Sequence, residues 1–371
     1  MTSHATKQHE DEKTSQIPKI TEVGETMTVL VTGAAGLLGS QVTDLLIARG
    51  DRPRALVHPR YDAGWLAPAG ADVYAADIAD RAAIEPALAG VDCVIHCAAR
   101  TGPWGPSSEY ERVNVLGLRT MVTAAMSAGV KRFVHVSSIT VHGNDVRGKA
   151  DEESPLRTEP NPYSRSKVAG ERLLQRMIRD DGAPVTIVRP GWIYGPGDTA
   201  SFGRFAQMID EGRMLIIGSG ENHVPLAYVC DVAEGVLLAG AAEHANGRTY
   251  LLVNDEPVTQ REFLNAIAAE LGVPAPSRRI PYRAAVALGA AAETVGHLTR
   301  RQQPPPVMRY GLQLLGGENR FSIDRARREL GFSPAVGFAE GVRLGVAWYR
   351  AASQAKTPKT PNTPNRAEVL T

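Results

Sequence analysis

Residues 29–40 read VLVTGAAGLLGS, a β-branched apolar run that breaks into three glycines, Gly33, Gly36 and Gly39, around a Leu-Leu pair. A buried strand, a tight turn and the start of a helix are what this order of residues specifies. The first glycine permits the turn, the second lets a pyrophosphate approach the backbone, and the third allows close packing of helix on strand. Phosphates then sit on the helix N-terminus, where free N–H groups and the dipole favour negative charge. Gly33, Ala35, Gly36, Leu37 and Leu38 are therefore expected to hold a dinucleotide.

The same alternation continues outward from this turn. Strands are predicted at Thr28–Thr32, Arg54–Val57, Asp72–Ala75, Cys93–His96, Phe133–Ser137 and Val185–Arg189, most of them apolar at their centres. Helices are predicted at Leu37–Arg49, Ala82–Ala89, Asn114–Ala128 and Tyr163–Arg179. That order specifies an α/β chain with a Rossmann-type doubly wound parallel sheet over residues 27–190. Beyond Pro190, strands at Met214–Ile217 and Thr249–Val253 and helices at Phe202–Glu211, Asp231–Ala242 and Gln260–Leu271 are shorter and less regular. Residues 191–350 are read as a smaller mixed lobe that interleaves with the first domain and shapes a substrate pocket. Residues 1–26 and 351–371 are polar or Pro- and Thr-rich, and are expected to form a disordered arm and tail.

Bulk composition narrows the class of partner. The 371 residues carry a formal net charge of +1, with 43% hydrophobic and 22% charged residues. Nothing in that balance draws the chain to nucleic acid or to an anionic membrane, so a small-molecule substrate is expected. No secretory signal and no integral membrane segment is read from the sequence, and a cytoplasmic location is expected. The three cysteines are Cys93, Cys97 and Cys230. Cys93 and Cys97 are separated by roughly 13 Å of extended strand, too far for a disulfide, and alternation turns His96 away from both. No metal site is expected.

The end of the second strand reads RALVHPR, with Val57 where an acid would hold the ribose hydroxyls of NAD. His58 and Arg60 follow. A missing carboxylate and nearby cations favour a 2′-phosphate, so NADP(H) is expected in preference to NAD(H). Asp77 and Ile78 follow the third strand, where the carboxylate either meets the adenine amino group or caps the next helix.

Tyr163 and Lys167, in NPYSRSKVAGERLL, stand one turn apart on a helical face. HVSSITVHG (His135–Gly143) ends a strand with Ser137 and Ser138. With HCAA (Ala98, Ala99), Asn114 in VNVLG, and RPGWIYGPGD (Pro190, Gly191, Trp192, Ile193), these motifs in this order resemble the extended short-chain dehydrogenase/reductase superfamily. The resemblance covers roughly residues 27–350. It implies Tyr163 as general acid/base and Lys167 as its activator and a ligand of the nicotinamide ribose. It implies Ser138 as the serine that bonds the substrate oxygen, with Ser137 as runner-up, Asn114 as an anchor of the active-site backbone, and Ala98, Ala99, Asn114, Ser137, Pro190, Gly191, Trp192 and Ile193 as cofactor contacts. Physically, a cation near a phenol lowers its pKa toward working pH, and proton transfer of this kind contributes about 10²–10⁴ in rate.

Within that superfamily, 4,6-dehydratases follow the serine with an Asp-Glu pair; Ile139 and Thr140 stand here. ARTGPWGPSSEYERVNVLG, the apolar helix Tyr282–Leu298 and FSIDRARRELGFSP resemble the 3β-hydroxysteroid dehydrogenase and 2-alkyl-3-oxoalkanoate reductase branch. An NADP(H)-dependent oxidoreductase acting on a secondary alcohol or ketone of a largely apolar substrate is the leading reading. A sugar epimerase and a non-catalytic NADP-sensing protein are the alternatives. Trp104 and Thr140 are candidate substrate contacts. Arg278, Arg279, Arg283, Arg300, Arg301 and Arg309 read as a solvated basic face or as contacts to an anionic substrate group. A homodimer through helices Asn114–Ala128 and Tyr163–Arg179 is expected from the resemblance.

Overall fold

A computed structural model describes residues 27–146 and 148–354; the predicted N-terminal arm, and the tail beyond residue 354, lie outside the described residues. A seven-stranded parallel sheet carries the fold. Its strands are β1 (Val29–Thr32), β2 (Arg54–Val57), β3 (Asp72–Ala75), β4 (Cys93–His96), β5 (Arg132–Val136), β6 (Val185–Pro190) and β7 (Thr249–Leu252). They lie in the order β7-β6-β5-β4-β1-β2-β3. Val29 pairs with Cys93 on one side of β1, and Leu30 with Arg54 on the other. The chain therefore winds outward from β1 through β2 and β3, then returns to β4 and winds the other way. The carboxyl ends of β1 and β4 flank that reversal, where doubly wound sheets open a crevice.

β1, β4 and β6 are buried along their whole length, as strands covered by helices on both faces must be. β3, the edge strand, is exposed at alternate residues, Val73 and Ala75. β7, expected in the smaller lobe, instead extends the main sheet, with Thr249 paired to Ile187 of β6. A four-residue apolar run does not reveal from its own sequence which sheet it joins. The predicted tail also begins too early: the last helix, Phe338–Gln354, takes in residues 351–354.

Helix α1 (Leu37–Ala48) follows the glycine turn. Helix α2 (Arg81–Leu88) is capped by Asp80, which accepts from the Ala83 N–H at 3.3 Å. Asn114 sits in a π-helical stretch, Arg112–Gly117, that runs into α3 (Leu118–Ser127). Helix α4 (Pro162–Asp181) starts at a side-chain cap from Asn161 and stops at Gly182. In the smaller lobe, α5 (Tyr282–Leu298) and α6 (Arg309–Gly316) pack as a pair, clamped by Arg309 on Glu293 at 2.6 Å. Arg309 is thus committed to a structural ion pair and does not belong to an open basic face. Among the described residues no helix is long and apolar enough to cross a membrane.

Candidate active site

A cavity of about 750 Å³ opens over the carboxyl ends of β1, β2 and β4 and reaches Tyr163 and Lys167 on α4. Its floor is the glycine turn. Gly33 has φ +66° and donates its N–H to Leu56 O at 2.9 Å. A Cβ on Gly39 would fall 2.2 Å from Gly33 O, so only glycine lets the helix start this close to the turn. No side chain caps α1 and no acid occupies its first turn, which leaves the helix start open to an anion. Gly33, Ala35, Gly36, Leu37 and Leu38 line this end, as do His58, Arg60, Asp77, Ile78, Ala98 and Ala99. The donor set and the size of the cavity fit a dinucleotide.

At the far end of β2, His58 and Arg60 reach the cavity as read from sequence, together with residues the sequence reading missed: Tyr61, Asp62 and Trp65. The Arg60 guanidinium lies over the Tyr61 ring, 5.1 Å from its centroid. Asp62 caps its own loop by accepting from the Gly64 N–H at 3.0 Å. Asp77 is not the helix cap, a role Asp80 fills. Its carboxylate accepts from the Ala79 N–H and from Arg112 Nη1, at 3.0 and 2.6 Å, with His58 Nε2 at 3.5 Å. Burial works to raise its pKa, but these partners hold it below the usual carboxylate range.

Toward the other end, the two serines separate. Ser137, just past β5, donates to Glu171 Oε1 at 2.5 Å, so its hydroxyl is committed beneath the surface. Ser138 opens a 3₁₀ turn, Ile139–His142, accepts from the Thr140 N–H at 3.2 Å, and stands within hydrogen-bonding reach of the Tyr163 phenol. Lys167 is buried and donates from Nζ to Val136 O at 2.8 Å. Burial draws its ammonium down to about 8, against the field of Glu171. The expected lowering of the Tyr163 pKa is not met. Burial pushes the phenol up to about 12, and the Ser138 hydroxyl only partly opposes it. The desolvation of an apolar site outweighs that hydrogen bond.

Asn114 is saturated within the protein. Its Oδ1 accepts from Arg100 N, and its Nδ2 donates to Arg100 O and Ser166 Oγ, at 2.7, 3.0 and 2.8 Å. It ties the loop after β4 to α4 and, contrary to the expected cofactor contact, does not line the cavity. A π-helical turn at such a position is a frequent companion of functional sites. Of RPGWIYGPGD, only Ile193 and the Gly197–Asp198 end reach the cavity, joined by Thr199 and Ala200. Pro190 ends β6, Gly191 abuts Pro225 O, and Trp192 is buried with its Nε1 on Ser201 Oγ. These three were expected on the cofactor but do not line the cavity: Trp192 alternates with Ile193 to the opposite face, and Pro225 O closes on Gly191.

Trp104 does not line the cavity either. Its ring stacks on His297 of α5, with centroids 4.4 Å apart, and its Nε1 donates to Arg301 O. It anchors the loop after β4 to the smaller lobe. Thr140 is buried under the turn, its hydroxyl turned toward Asn144 and Tyr310. Tyr310, on α6, was not singled out in the sequence. Its ring meets Tyr163 edge to face, with centroids 6.1 Å apart.

Known proteins share both the sequence and this architecture. The model of the NAD dependent epimerase/dehydratase family matches residues 29–252. A 2-alkyl-3-oxoalkanoate reductase of Stenotrophomonas maltophilia is 32% identical over 329 residues, 85% of this chain and 98% of the relative. Sterol demethylase protein B of Methylococcus capsulatus is 33% identical over 336 residues, 87% of this chain and 98% of the relative. The crystal structure of a double mutant of DesIV, a dTDP-glucose 4,6-dehydratase from Streptomyces venezuelae with NAD bound, superposes with a TM-score of 0.70 at 27% identity, covering 89% of this chain and 98% of its own. With the glycine turn, the cavity above it and the Ser138, Tyr163 and Lys167 cluster at one end, these matches assign the chain to the NAD dependent epimerase/dehydratase family, as an extended short-chain dehydrogenase/reductase enzyme.

Proposed function

We propose that the chain is an NADP(H)-dependent ketone reductase, moving a hydride between the nicotinamide and a secondary alcohol or ketone of a largely apolar substrate. One observation carries the reading: a phenol held protonated beside the Ser138 hydroxyl, at the end of a dinucleotide cavity. A phenol pushed up to about 12 is a proton donor at neutral pH and not a resting base, which suits reduction. A bound reduced nicotinamide supplies the hydride. Ser138 bonds the substrate carbonyl oxygen, Tyr163 gives that oxygen its proton as charge develops, and Lys167 offers its cation to the same region. Ile139 and Thr140 lack the acid and base that water elimination requires.

The names of relatives support the substrate class: one acts on 2-alkyl-3-oxoalkanoates, and another is a sterol demethylase protein. Preference for NADP(H) rests on His58 and Arg60 at the cavity and on Val57 in place of an acid. Asp62 and Asp77 oppose it with negative charge, and Arg112 neutralises the second of these.

The test follows absorbance of the reduced nicotinamide, offering NADPH and NADH separately against 3-oxo acids, steroid ketones and nucleotide sugars. Net oxidation of NADPH by an apolar ketone is expected. The Tyr163→Phe variant should lose about 10²-fold or more in kcat while still binding cofactor. Conversion of a nucleotide sugar without net cofactor turnover would replace this reading with an epimerase.

A further inference from the structure

The 3₁₀ turn Ile139–His142 faces two tyrosines at once. Ser138, at its start, is in reach of the Tyr163 phenol, and Thr140, two residues on, is in reach of the Tyr310 phenol. The two rings meet edge to face. Tyr163 lines the dinucleotide cavity, whereas Ser138, Thr140 and Tyr310 are not among its lining residues. A carbonyl oxygen placed between Ser138 and Tyr163 brings its flanking groups against what surrounds the Tyr163 ring, and Tyr310 is in contact with that ring.

We infer that Tyr310 is the specificity-determining wall of the substrate subsite, setting how bulky a group next to the reacting carbonyl can be. The inference rests on the ketone reductase reading and assigns the substrate-side residue that reading leaves open. Its support is the rigidity with which the smaller lobe presents Tyr310. The neighbouring Arg309 bonds Glu293 of α5 through both its backbone N–H and its guanidinium, each at 2.7 Å. A Cβ on Gly289 of α5 would fall 3.0 Å from Arg309 N, so the two helices approach backbone to backbone at the residue before Tyr310. At the other end of α6, Leu314 and Leu315 are buried, and Leu315 O accepts from Asn222 Nδ2 at 2.7 Å. A ring held at both ends of its helix excludes volume instead of yielding to it, which is how an apolar pocket discriminates by size.

The test uses 3-oxo carboxylic acids that differ only in the length of the alkyl branch beside the ketone, with kcat and KM measured separately. Wild type, Tyr310→Phe, Tyr310→Ala and Tyr310→Leu are compared, and NADPH binding is titrated by fluorescence in each. In Tyr310→Ala the ratio of kcat/KM for long-branched over unbranched acid should rise about 10-fold or more, the scale of one methylene in such a pocket. Tyr310→Phe keeps the ring and should keep the wild-type ratio. NADPH affinity should be unchanged in every variant that folds. Tyr310→Leu, which keeps an apolar side chain in the gap, carries the comparison where Tyr310→Ala loosens the helix. An unchanged ratio in variants that still bind NADPH and reduce the unbranched acid overturns the wall and leaves the reductase standing. A wild type that reduces none of the acids or steroid ketones overturns both.

Discussion

At the scale of single residues, the site holds two titrating groups whose pKa values burial pushes apart. Burial raises the Tyr163 phenol to about 12 and lowers the Lys167 ammonium to about 8. Over the neutral range Tyr163 carries its proton and Lys167 its charge, the combination reduction needs. As pH rises through about 8, Lys167 becomes neutral and its help to a developing phenolate is withdrawn. The rate of ketone reduction, as kcat/KM against pH, should therefore fall on the alkaline side with a midpoint near 8, well below the phenol's own titration. A profile level up to pH 10 would mean that the cation does not contribute. His96 cannot supply such a limb. Its Nδ1 lies 2.8 Å from Thr32 Oγ1, which also accepts from the Ala98 N–H. Burial draws that imidazole down to about 3, so it stays neutral throughout.

Between elements, the site is held by a buried network whose residues lie inside the motifs but whose pairing the motifs do not state. Glu171 of α4 accepts from Ser137 Oγ at 2.5 Å, from Arg189 Nε at 2.9 Å and from Arg189 Nη2 at 2.6 Å. Arg189 of β6 also donates to Glu152 O at 3.0 Å, and its Nη1 lies 3.1 Å from His142 Nε2. One ion pair thus binds the helix of Tyr163 and Lys167 to the end of β5 and to the turn after Ser138. Both partners are fully buried, so losing one leaves an uncompensated charge, at about 3–5 kcal/mol. In denaturant unfolding, Glu171→Gln and Arg189→Met should each be destabilised on that scale, and the double variant by clearly less than their sum. Additive losses would mean that the two side chains do not act as a pair. The contrast with the glycine turn explains what was legible beforehand. VLVTGAAGLLGS and the Tyr163–Lys167 spacing are contiguous signals, and the strands around them are apolar runs. Tyr310, Glu171 with Arg189, and the place of β7 depend on contacts between distant stretches, and single-sequence periodicity holds no record of those. Trp104 and the Pro190–Trp192 stretch failed for a related reason: a motif fixes which residues are near a site, but strand alternation and lobe packing decide which of them face it.

Across the whole molecule, the closing segment of the chain is fastened to the main sheet through one buried carboxylate. Asp231, on the helix Val229–Ala241 that packs over the sheet, is 3% exposed and accepts from the Ala335 N–H at 2.9 Å and the Val336 N–H at 3.3 Å, just before the last helix. Burial raises its pKa from 3.8 to about 6, although the two backbone bonds work to lower it. The folded chain therefore holds a proton on Asp231 at pH values where the unfolded chain has released it. Where the folded state binds more protons, stability falls as pH rises. The stability drawn from this group is thus present below about pH 4 and lost as pH rises toward 6. A shift of about two units at 1.36 kcal/mol each puts the loss at about 3 kcal/mol. Asp231→Asn keeps an oxygen for both N–H groups and cannot ionise. Other carboxylates titrate in the same range, so the informative quantity is the difference between the two proteins. Measured by denaturant unfolding from pH 4 to pH 7.5, the variant should gain on the wild type by up to about 3 kcal/mol, with most of the change below pH 6.5. A difference that stays constant over that range would mean that the carboxyl keeps an ordinary pKa in the folded chain, and that its two backbone bonds outweigh its burial.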